Sequence, residues 1–431
     1  MIRIAHFSDL HYGPKNLVEA DRCFSAAIDR AVAQGVDVAV LSGDSTDHAL
    51  DLHSPSAERL VAQVRRLADH CPVLMLQGTF SHEPPGTLSI FRSLGGRHPV
   101  HVADRIGQVS LMPAGRWQSS NAWAFDALPS GLLALFSCIP TVNKAVVASV
   151  VGAAVAAEAV AEQLAALLAG FAPVHRRARA MGVPSIGVSH GTVYGCLTEH
   201  GVPMAGFDHE FTTGSLFGAE AQAFLLGHIH AHQGWGQESH AGRQRIAYAG
   251  SIGRFHHGEE GDKGFLLWEV DADSAASTLQ PTPARRTIDL VFQGKPDLES
   301  LRAAIAEQGV VGAHVRVRWT VCEEDRHGVD RTAIEEALAG AEDVKLEGRI
   351  VPIVRTRAAG ISQMASLAQK VRAWAQATQA DEAPLLACLA ELMAAQPQDI
   401  ATRVLTDDPD ADLSCTGTPG EVHMLETAVH D

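Results

Sequence analysis

Five turns in this chain carry side chains that bind metal ions, and each lies at the end of a short apolar run: Ser8-Asp9-Leu10-His11, Gly43-Asp44, Ser81-His82, His190-Gly191 and Gly227-His228-Ile229-His230. Asp-x-His and His-x-His put two ligands at i and i+2, on one side of an extended chain, where both reach a single ion. In Gly43-Asp44 the missing side chain lets the backbone approach a ligand closely, so the Asp44 carboxylate is placed to bridge two ions. Taken singly, each turn has an ordinary explanation: Asp9 as a cap, His11 as a solvent-facing loop residue, Gly43-Asp44 as a common turn. Five in one chain favour a metal centre. Phosphodiester hydrolysis suits it, because that reaction needs a hydroxide, stabilisation of phosphoryl charge and an electrophilic clamp. Two cations about 3.5 to 4 Å apart supply all three.

The elements that must position these turns follow from periodicity. Residues 2–7, 36–41, 73–76, 185–188 and 223–226 are β-rich runs, and they alternate with helical patterns such as Phe24, Ile28, Ala31 and Val32. This predicts a layered α/β core whose strand C-ends converge on one edge of a sheet. A further strand, 264–270, closes a first domain over 1–278, with Pro281 and Pro283 in the linker. Strand, helix, strand, helix and strand then follow at 288–292, 298–307, 314–321, 332–338 and 344–350, a small α+β cap domain over 279–355. Two amphipathic helices occupy 356–405, one carrying Leu367, Val371 and Trp374, the other Leu385, Leu389, Leu392 and Met393. The Asp-, Pro- and Gly-rich stretch 406–431 is predicted to be a disordered tail.

With 431 residues, 46% of them hydrophobic, and a mean hydropathy of +0.03, the chain suits a multi-domain soluble protein. The apolar stretch 2–7 is too short for an export signal. The most hydrophobic window, 145–171, is Ala-rich and carries Glu158, Glu162 and Gln163, so it reads as a soluble helix rather than a membrane span. Seven cysteines without a C-x-x-C pair argue against a disulfide framework and for a reducing, cytoplasmic compartment. A formal charge of −16 excludes a broadly basic nucleic-acid surface. Phosphate contacts would fall to local clusters, Arg176, Arg177 and Arg179, or Arg316 and Arg318 on one face of a cap strand.

The run from Ile4 to Gly13, Ser42-Gly43-Asp44, Ser189-His190-Gly191 and Gly227-His228-Ile229-His230 resemble, in order and spacing, the motifs of calcineurin-like metallophosphoesterases. Tyr248-Ala249-Gly250-Ser251-Ile252-Gly253-Arg254-Phe255, followed by Gly258-Glu259-Glu260 and Lys263-Gly264-Phe265, resembles the stretch closing the nuclease domain of SbcD-type DNA repair exonucleases. The resemblance covers roughly residues 1 to 280 apart from 107–181, and continues weakly through the small domain.

It implies a layered α/β metallophosphoesterase sandwich with a DNA-facing α+β cap, and a metal-dependent DNA exonuclease, with endonuclease action as well. The cofactors would be two divalent ions, manganese in this family. The implied ligands are Asp9, His11, Asp44, His190, His228 and His230, and His82 matches the histidine that assists cleavage without binding metal. His6, Asp47 and Glu83 would orient the ligand imidazoles through hydrogen bonds. The C-terminal helices would grip the coiled-coil base of an SbcC-type ATPase, and a homodimer is a further expectation.

One motif departs from the family. Gly-Asn-His followed by an acid is replaced by Gly78-Thr79-Phe80-Ser81-His82-Glu83, so Ser81, aligned on His82 and Glu83, stands where the Asn ligand is expected, with Thr79 as the other candidate. The adjacent His256 and His257 are expected to diverge as surface residues. Two further readings remain open at this stage: a small-substrate phosphodiesterase or phosphatase of the same superfamily, and a catalytically weakened scaffold.

Overall fold

The structure, a computed structural model, describes residues 1–51, 53–142, 153–204, 210–259, 261–352 and 360–400, the side chains of 153–159 and 210 excepted. The tail expected at 406–431 and the first part of the 145–171 helix lie outside the described residues.

Two sheets face each other. The first runs from edge to edge as Ala275–Pro281 (β15), Gly264–Val270 (β14), Ile2–Phe7 (β1), Val38–Leu41 (β2), Val73–Leu76 (β3) and Val100–Ala103 (β4). In it β1 to β4 are parallel, and β14 returns antiparallel beside β1. The second runs as Gln233–Ser239 (β12), Gly242–Tyr248 (β13), Ala223–Gly227 (β11), Ser185–His190 (β8), Ala134–Ile139 (β7), Gly107–Met112 (β5) and Arg116–Ser119 (β6). Its central strands β13, β11, β8 and β7 are parallel.

Strand period 2 explains the layers. Ile2, Ile4, Val38, Val40, Leu74 and Leu76 pack between the sheets against Phe136, Ile186, Val188, Ala223, Leu225 and Ala247. Their alternates Ala5, Phe7, Ala39, Leu41, Val73 and Met75 meet Leu17–Ala33 (α1) and Pro55–Ala68 (α2) on one outer face. On the other, Phe224, Leu226, Ile246 and Tyr248 meet Leu164, Leu168 and Phe171 of Ala153–Ala180 (α3). The order is helix, sheet, sheet, helix, which buries the parallel strands on both faces and accounts for their nearly continuous apolar runs. Among the described residues no helix is long and apolar enough to cross a membrane.

This arrangement corrects one expectation. The five ligand-bearing turns do not share one sheet edge: the turns after β1, β2 and β3 belong to the first sheet, and those at the ends of β8 and β11 to the second. Periodicity reports which face of a strand is buried, not which sheet the strand joins.

Thr287–Gln293 (β16), His314–Cys322 (β17) and Asp343–Val351 (β18) form a three-stranded sheet. Its core of Ile288, Leu290, Val315, Val317 and Trp319 is closed by Leu301 of Leu298–Gln308 and Ile334 of Arg331–Ala337. By internal contacts the chain divides into Met1–Ile350 and Val351–Asp431. In the second unit Leu367–Thr378 and Glu382–Ala394 pair so that Leu367, Val371, Trp374, Leu385, Leu389 and Leu392 line an apolar groove.

Candidate metal centre

The two sheets bring their strand ends together, and the six side chains collect into two groups. Asp9, His11 and His230 offer donor atoms within 4.8 Å of one another, and so do Asp44, His190 and His228. Asp44 also lies within that distance of His11 and His82, so one carboxylate is shared between the groups. Each group therefore draws on both sheets, and the turns are tied by backbone bonds from Asp9 N to Gly43 O (3.1 Å) and from His11 N to Asp44 O (3.0 Å).

Local backbone geometry is unusual here. Asp9 (φ 51°), His11 (47°), Asp44 (51°) and His228 (97°) all occupy the left-handed region. Such a conformation costs a non-glycine residue of order 1 to 3 kcal/mol and persists where the surroundings over-determine it, typically at functional sites. Gly43 and Gly78 are required by close approach: a Cβ on the first would collide with the His190 ring, and one on the second with Asp44.

Side-chain orientation is set from behind. The His190 Nδ1–H donates to Ser42 O (2.8 Å), leaving Nε2 3.2 Å from the Asp44 carboxylate. Asp9 accepts from His228 N (3.1 Å) and from the Ser8 hydroxyl. The Nε2 atoms of His11 and His230 stand 2.9 Å apart, while Nδ1 of each is buried without a hydrogen-bond partner among the described residues. Two imidazole nitrogens about 2.0 to 2.1 Å from one shared cation, near a right angle, stand about 3 Å apart.

The electrostatics fit a cation. Burial pushes the Asp9 carboxyl up to about 6, with His190 opposing and Asp44 adding to the rise. Burial also works against charge on Asp44 and on His190, but their pairing prevails: Asp44 is held below the usual carboxylate range and His190 is pushed up to about 9. Burial, reinforced by His230, takes His11 down to about 3, and burial with Lys263 takes His230 well below its ordinary value. His11 and His230, held neutral, face buried carboxylates with no lysine or arginine paired to Asp9 or Asp44 among the described residues, and an ion at the second group would displace the proton that His190 shares with Asp44.

Of the two hydroxyl candidates in the third turn, Thr79 is the one the structure brings to the donor groups. Ser81 is exposed, whereas the Thr79 hydroxyl lies 3.2 Å from Asp44 Oδ2 and 3.2 Å from His190 Nε2. The two residues inserted between Thr79 and Ser81's neighbour His82 make a turn, closed by His82 N and Glu83 N onto Thr79 O (3.0 and 2.7 Å). His82 stays at the site: its ring stands 4.8 Å from that of His11, and its Nδ1 donates to Asp47 O (2.7 Å).

None of His6, Asp47 and Glu83 hydrogen-bonds a ligand imidazole through its side chain. His6 Nε2 bonds Ser42 Oγ (2.8 Å), steadying the residue whose carbonyl holds His190. Asp47 Oδ1 is 3.7 Å from His11 Nδ1. Glu83, which burial and Asp44 push up to about 7, accepts from Ser45 N (2.5 Å) and Gly78 N (2.6 Å) and so fixes the backbone around Asp44 and Thr79.

His256 and His257 do diverge, but His257 is not a free surface residue: its Nε2 pairs with Asp343 Oδ2 (2.8 Å) and its ring stacks on His314. The candidate phosphate hosts are largely engaged. Arg176 and Arg179 pair with Glu220, Arg177 donates to Phe125 O, and Arg316 and Arg318 share Asp289. Sequence reasoning missed the role of the Ser42 carbonyl and of Phe255, which lies edge-on to His11 at 5.5 Å. Neither carries a motif signal, since one acts through its backbone and the other through packing. Comparison of the chain with protein-family models and with curated proteins gives no match in either.

Proposed function

We propose that this chain is a two-metal phosphodiesterase, and that its substrate is DNA. One observation carries the hydrolase reading: two three-residue donor groups from facing sheets, sharing Asp44. Divalent ions bound there would supply Lewis acidity and a water acidic enough to yield hydroxide near neutral pH. Manganese is the family's ion and is the one to test first. The chain's own part is to hold that pair and to present His82, whose Nδ1–H is committed to Asp47 O and whose Nε2 remains for the phosphoryl group.

The nuclease assignment, the DNA repair setting and the SbcC-type partner rest on the motif resemblance. A small-substrate phosphodiesterase is the second reading, favoured by the internal pairing of Arg176, Arg179, Arg316 and Arg318 with carboxylates. A single experiment separates them: cleavage of linear and circular DNA, and of a chromogenic phosphodiester, by manganese-loaded protein with and without the ATPase. Under the nuclease reading DNA is cut, and His82→Ala slows cutting about 10²- to 10⁴-fold at unchanged metal content. Turnover of the chromogenic ester alone supports the second reading, and fewer than two bound ions at saturation removes both.

A further inference from the structure

Between β13 and β14, residues 254–259 form an arm tied down by buried polar contacts beside the candidate metal centre. Glu259 Oε1 accepts from Phe255 N (2.8 Å) and His256 N (2.7 Å), and its Oε2 pairs with Lys263 Nζ at 2.5 Å, with both side chains almost fully buried. Lys263 in turn donates to His230 O (3.0 Å) and Ser251 Oγ (2.9 Å). At the base of the arm Arg254 N donates to the buried Glu19 (3.1 Å). The arm presses Phe255 edge-on against His11 and His230, and its next residue, His256, lies parallel to the His230 ring, 6.0 Å away and tilted by 10°.

His256, His230 and Glu259 have donor atoms within 4.8 Å of one another, which suggests a third ion. The charges argue against one: both Glu259 oxygens are occupied and the Lys263 ammonium is already there. What remains is an exposed imidazole whose ring makes no hydrogen bond to a described residue, on a backbone that the buried Glu259 carboxylate ties down beside the candidate ligand His230. The backbone is held and the ring lies beside His230 with its polar atoms directed at no described residue, the arrangement of a group available to a ligand.

Resting on the two-metal reading above, we infer that His256 is a substrate-contacting residue whose ring N–H donates to a phosphoryl oxygen on the His230 side of the centre. His82 stands by His11, so the ring series His82, His11, His230, His256 would leave the phosphoryl group flanked by a donor at each end. A contact of this kind is made to substrate and transition state alike, so it acts on KM more than on kcat.

The test uses the full chain loaded with manganese and inorganic phosphate as the probe. His256→Ala is expected to weaken phosphate binding, followed by calorimetry, by about tenfold to a hundredfold, the usual worth of a hydrogen bond to a charged group. Two manganese equivalents and the thermal midpoint are retained. His256→Gln, with its carboxamide N–H, recovers part of the affinity. With bis(4-nitrophenyl) phosphate the Ala variant raises KM and leaves kcat within a few-fold. Equal phosphate affinity in wild type and His256→Ala overturns the inference while leaving the two-ion centre intact. Loss of a manganese equivalent in the variant overturns it too, making His256 a ligand. A wild type that holds fewer than two ions removes both this inference and the reading beneath it.

Discussion

At the scale of the residue, the threonine in the third turn would, under the two-metal reading, set the character of the second ion site. A hydroxyl is a weaker neutral ligand than the carboxamide oxygen it replaces, and Thr79 already divides its contacts between Asp44 and His190. Thr79→Asn should therefore tighten binding of the second manganese, read as a lower dissociation constant in a metal titration, whereas Ser81→Asn should leave it unchanged. A response to Ser81→Asn alone would restore the alignment-based assignment. Asp44→Asn tests the sharing of one carboxylate: both equivalents should weaken, and activity should fall by more than the roughly 10- to 100-fold typical of outer-shell losses.

At the scale of the element, α3 is fastened to its sheet by a polar chain. The Gln108 carboxamide donates to Ser137 Oγ (2.9 Å), the Ser137 hydroxyl bonds His175 Nε2 (2.7 Å), and His175 Nδ1–H donates to Ala219 O (2.6 Å). The bond to a carbonyl fixes Nδ1 as a protonated nitrogen, so in the neutral ring Nε2 accepts from the Ser137 hydroxyl. Burial, against weaker opposing contributions from the Ala219 carbonyl and Glu220, takes this imidazole down to about 4. The unfolded chain takes up a proton below about pH 6.5, while the folded chain resists until about 4. Between these values the unfolded state binds more protons, so stability falls as the pH drops. The share from His175 is about 3 kcal/mol once the pH is below its folded value. His175→Gln should cost stability at pH 7.5 and lose less than wild type as pH falls to 4, so that urea midpoints of the two proteins converge. Parallel curves would mean the ring is not the group responsible.

At the scale of the whole molecule, a carboxylate on α1 joins the segment leading to the three-stranded sheet to the metal-centre arm. Glu19, fully buried, accepts from Arg254 N and Arg285 N (3.1 and 2.8 Å) and pairs with Arg285 Nε (3.2 Å). Removing one partner of a buried pair leaves an uncompensated charge, so Glu19→Gln should destabilise the protein by about 3 kcal/mol or more in urea unfolding. Asp29→Asn, which breaks the exposed pair with Arg66, should stay within about 1 kcal/mol. Equal effects would show that the buried pair does no structural work. Charge at this scale also bears on substrate. With a net −16 and both arginine clusters bonded internally, DNA binding would depend on the ions and a few local contacts, and so should show a shallow salt dependence.

The candidate donor side chains were legible in the sequence because the motifs that carry them are local. Apolar runs before the turns marked them as strand ends, and Asp9 and His11 do fall in one donor group, but the expectation that His228 and His230 reach a single ion is corrected: they fall in different groups, because left-handed backbone at His228 breaks the alternation of an extended strand. Most strands were legible too, since burial on both faces wrote them as continuous apolar runs. Only the tertiary structure decided the rest. Which strands share a sheet depends on pairings between distant segments, so the split of the six candidate donors across two sheets, with Asp44 close to His11 as well as His190, has no local signature. That Thr79 and not Ser81 lies against Asp44 and His190 was hidden as well, because sequence position counts residues whereas an atom is placed by where the loop folds back. The engagement of Arg316 and Arg318 by Asp289 likewise comes from the register of β16 against β17, which no charge pattern along a single strand records.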